Sequence, residues 1–71
     1  MKTPFAQILP YVDSLVIDCT QEGRVVVSIM SKQERPLLQI RASSEDGEEA
    51  FREAVREFRN LLTDNGVRLT G

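Results

Sequence analysis

From Glu45 to Leu62 the chain carries Ala50, Phe51, Ala54, Val55, Phe58, Leu61 and Leu62 at helical spacing. That is a wide apolar stripe on one face of a helix, predicted over about 45–64. Asn65-Gly66 supplies a stop, because glycine takes the left-handed turn that ends helices. Ser43-Ser44-Glu45-Asp46 supplies a start, with Ser43 expected to accept the N–H three residues on and Asp46 to reach back. The acids between Glu45 and Glu49 sit at the positive end of the helix dipole. A stripe this broad must be buried on something, and the rest of the chain offers strands.

Leu15 to Thr20 alternates, with Leu15, Ile17 and Cys19 expected on the inward face. Gln21-Glu22-Gly23 reads as a turn, and Arg24 to Met30, β-branched at Val25, Val26, Val27 and Ile29, reads as the clearest strand. Ser31 to Pro36 is polar and ends in proline, so it is expected to be a loop. Leu37 to Ala42 alternates again. Ahead of these runs, Thr3-Pro4 is a helix-start signal and Phe5, Ile8, Leu9 and Val12 share one helical face, predicting a short helix over 4–12. Val67 to Thr70 could add an edge strand or fray. The expected architecture is α+β, one domain over residues 1–71. It has a short N-terminal helix, a three-stranded antiparallel meander and a long C-terminal helix (α-β-β-β-α), with both helices on one sheet face. The opposite face then carries Val16, Val26 and Leu37 with nothing in the chain to cover them, which marks them as a candidate interface.

A chain of 71 residues with one cysteine and no histidine cannot close an internal disulfide, and it lacks the usual ligands of a structural zinc. Self-association is the remaining route to comfortable stability, so a homo-oligomer or a protein partner is expected. The net charge of −2 and pI near 5.0 disfavour nucleic acid and anionic membranes, which require a cationic face. No apolar run approaches a membrane span, and a lone unpaired thiol suits a reducing compartment, so a soluble cytoplasmic protein is expected. Catalysis finds no footing. Without histidine there is no Ser-His-Asp or Cys-His arrangement, Cys19 is expected to be inert buried packing, and the glycines at 23, 47, 66 and 71 stand too far apart for a phosphate loop. No catalytic, cofactor-binding or metal-binding residue is assigned.

The α-β-β-β-α order is shared with double-stranded RNA-binding domains, which grip phosphate with basic residues opening the last helix. Here that stretch is Ser-Ser-Glu-Asp-Gly-Glu-Glu, so a degenerate version without RNA binding is the furthest this likeness reaches. Glu45, Glu49, Glu53 and Glu57 recur every four residues as an acidic ridge. It is either a solvated face relieved by Arg52 and Arg56, or the surface of a small acidic phage or plasmid inhibitor that blocks a nucleic-acid-binding host protein.

Four features taken together resemble the PRTRC system protein E family, over roughly residues 5–60. They are the Phe-x-x-Ile-Leu-Pro segment, Leu-Val-Ile-Asp-Cys, Glu-Gly-Arg-Val-Val-Val-Ser-Ile-Met-Ser-Lys, and the acid-capped final helix. The family's usual proline at the second strand's exit is missing. The resemblance implies an accessory protein of a plasmid or other mobile element, with no catalytic residues or cofactor to carry over. The combined expectation is a non-enzymatic interaction module that self-associates or docks through its open sheet face.

Overall fold

The computed structural model describes residues 3–69. Helix α1 (Pro4–Ile8) begins where Thr3 Oγ1 accepts the Ala6 N–H at 3.2 Å. Pro10 cannot donate an α-helical hydrogen bond, and the chain tightens there into a 3-10 turn over Leu9–Tyr11. Strands β1 (Val12–Cys19), β2 (Val25–Glu34) and β3 (Leu37–Ser44) form an antiparallel sheet in the order β1-β2-β3. Gly23, at φ +81, makes the first hairpin possible. Helix α2 (Gly47–Asp64) follows, and the architecture is the expected α+β, α-β-β-β-α.

Three local expectations are corrected, the first being the helix expected over 4–12, which ends at Ile8 and gives way to the 3-10 turn before β1 starts at Val12. Ser31 to Glu34 is strand rather than loop, because β2 bulges between Met30 and Glu34 and resumes pairing at Glu34 opposite Leu37. Polar residues suffice there because Ser31 pairs with Val12 of β1 and its hydroxyl bonds across the bulge, while Lys32, Gln33 and Glu34 stay exposed. Ser43 does not cap α2, because it is still in β3 opposite Val26. Asp46 is the cap: its carboxylate accepts the N–H groups of Glu48 and Glu49, and Ser44 Oγ accepts the Asp46 N–H while donating to Glu49. At the far end, the Gly66 N–H bonds to Thr63 O and the Val67 N–H to Leu62 O, the two bonds of a Schellman stop with Gly66 at φ +83. Val67 to Leu69 forms no strand, although Val67 and Leu69 pack on the core; Thr70 lies outside the described residues.

The core lies between α2 and one sheet face. Ala50, Ala54, Val55, Phe58 and Leu62 meet Val27, Ile29, Leu38 and Ala42, with Ile8 closing the end. Phe58 is fully buried, whereas Phe51 is half-buried and meets Phe5 in a tilted contact, 5.3 Å between ring centres and 54° between planes. Gln7 Oε1 accepts the Arg59 Nε–H at 2.8 Å and pins α1 to α2.

Candidate protein-interaction surface

Helix α2 packs chiefly on β3 and then on β2. A helix about 10–12 Å across covers roughly two strands spaced about 4.8 Å apart, so a three-stranded sheet under one long helix leaves a strand over. That strand is β1. Leu15, Ile17 and Cys19 do fall on the helix side, opposite Ile29, Val27 and Val25. Only Leu15 gains partial shelter there; Ile17 is 56% exposed. Cys19 is exposed as well, which overturns its expected role as buried packing. Alternation placed these side chains on the correct face, but burial depended on how far the helix reaches.

The outer sheet face is mixed rather than apolar. Across it run Ser14, Val16 and Asp18 of β1, then Val26, Ser28 and Met30 of β2, then Gln39, Arg41 and Ser43 of β3. Val16 is 48% exposed and Leu37 50%, yet Val26, between Asp18 and Ser43 on the central strand, is only 8% exposed. Its cross-strand neighbours cover it without any partner. Leu37 lies at the opposite end of β3 from Ser43, the residue facing Val26. The three candidate residues therefore share a face without forming a patch.

Apolar exposure is concentrated on β1. Val16 projects from one side of the strand and Ile17 from the other, with exposed Leu9 just before it. No lysine, arginine or proline interrupts Val12–Cys19, and Asp13 and Asp18 bracket the apolar triplet. The other edge, β3, lies under α2 on one side and bears Gln39 and Arg41 on the other. Natural sheets protect their edges by covers, charges and bulges; β1 carries a bulge at its start, between Val12 and Ser14, but from Leu15 to Ile17 it has no charge and no cover among the described residues.

On α2 the acidic row is shorter than expected. Glu45 precedes the cap and is not helical, leaving Glu49, Glu53 and Glu57. Arg52 pairs with Glu48 at 3.6 Å, both well exposed. Between α1 and α2 lies a shallow open groove of about 880 Å³, where Phe5 and Phe51 sit beside Arg52, Arg56, Glu49 and Glu53. Its charges alternate in sign, so it selects neither an anion nor a cation. Among the described residues no three carboxylates or thiols converge as metal ligands, and no helix is long and apolar enough to cross a membrane. Comparison with family models, curated proteins and solved structures found no match to this chain.

Proposed function

We propose that this chain is a non-enzymatic protein-interaction module that works through strand β1, as an accessory protein of a plasmid or other mobile element. The observation that supports the reading most is aliphatic exposure on both sides of one edge strand, at Val16 and Ile17. Edge strands with that composition are depleted unless a partner covers them. The mobile-element setting rests on the family resemblance alone, and the neighbouring genes test it. A charge-based inhibitor acting through Glu49, Glu53 and Glu57 has weaker support, since Arg52 and Arg56 interleave with that row.

The experiment compares Val16→Lys with the pair Glu49→Gln and Glu53→Gln. Co-precipitation and light scattering read association, and circular dichroism reads folding. Loss of association in the lysine variant, with the fold intact, supports the β1 reading. If the glutamine pair loses association and the lysine variant keeps it, the charge-based reading stands instead.

A further inference from the structure

We infer that the occupant of β1 is the β1 strand of a second copy, paired antiparallel about a two-fold axis at Val16. The inference rests on the interaction-module reading and names its partner. The Thr20 N–H bonds to Arg24 O at 2.8 Å, so Thr20, Asp18 and Val16, alternating along the strand, point their backbone groups toward β2. Leu15, Ile17 and Cys19 then present theirs to the free edge. Two such edges can exchange hydrogen bonds only when residues on the same sheet face oppose each other, which places the axis on a residue.

Side-chain chemistry chooses the residue. With the axis at Val16, Val16 meets its own copy, Leu15 meets Ile17 and Ser14 meets Asp18, while Asp13 lies in the bulge between Val12 and Ser14, outside the regular register. Apolar groups face apolar groups, and no carboxylate faces another. An axis at Leu15 sets Val16 against Ser14, an axis at Ile17 sets Val16 against Asp18, and an axis at Asp18 opposes two like charges. The segment from Ser14 to Asp18 is thus closest to self-complementary about Val16, the property an isologous interface needs.

Sedimentation of the wild type should move with concentration from 8.0 kDa to twice that mass. In a Cys19→Ser background, Val16→Cys should oxidise to a covalent dimer, because a non-hydrogen-bonded pair holds its Cα atoms about 4.5 Å apart, within disulfide reach. Ile17→Cys in the same background should not, being offset from its own copy. The reverse crosslinking pattern overturns the register. A wild type monomeric at millimolar concentration, with no Val16→Cys crosslink, overturns self-pairing. If that monomer still captures another protein through β1, and Val16→Lys abolishes the capture, the interaction-module reading survives. If Val16→Lys changes no association of any kind, both readings fall.

Discussion

The Ser31 hydroxyl accepts the backbone N–H of Leu38 at 3.0 Å and donates to Gln33 O at 3.0 Å, across the bulge where β2 and β3 lose their regular pairing. A side chain thereby replaces a missing rung of the ladder, and Ser31 is buried for that reason. Ser31→Ala leaves the buried Leu38 N–H without a partner, which costs about 1–3 kcal/mol. Chemical denaturation measures it; a loss below half a kcal/mol would show that water or a shifted backbone replaces the hydroxyl.

The two helical phenylalanines should separate. Phe58→Ala opens a cavity in the centre of the core and is expected to cost about 3–5 kcal/mol. Phe51→Ala removes a half-buried ring and its contact with Phe5, on the order of 1–2 kcal/mol. Equal losses in thermal melts would contradict the unequal burial.

Val26 and Val16 share the outer face but not their exposure. Val26→Lys forces a charge into a site already closed by its neighbours and should destabilise the monomer by roughly 1–3 kcal/mol. Val16→Lys should stay within about 0.5 kcal/mol in monomer stability. The contrast is read by urea unfolding at concentrations too low for association.

Both ends of α2 depend on single residues. Asp46→Ala removes the acceptor for two N–H groups and is expected to cost about 1 kcal/mol. Gly66→Ala meets no steric neighbour but strains the left-handed turn at φ +83, again about 1 kcal/mol. In a domain this small, each should lower the melting temperature by about 4–8 °C.

At concentrations too low for association, Cys19 should react with a thiol reagent in the folded protein about as fast as in the unfolded chain, since it is exposed. Protection that grows with protein concentration is the result self-pairing of β1 requires; strong protection already in the dilute monomer would contradict the exposure.

Local pattern determined much of this protein. The period of Ala50, Ala54, Phe58 and Leu62 dictated a helix with one buried side, and the alternation in Leu15–Cys19, Val25–Met30 and Leu37–Ala42 dictated strands and their faces. Those choices are made residue by residue, by backbone geometry and the need to bury apolar groups. Exposure was decided elsewhere. Cys19 and Ile17 alternate like buried residues and are exposed, while Val26 alternates like an exposed residue and is buried. Sequence spacing fixes which way a side chain points, but burial depends on what stands opposite. Here that was set by a helix wide enough for two strands, a central strand closed in by its neighbours, and one edge left uncovered by the described residues.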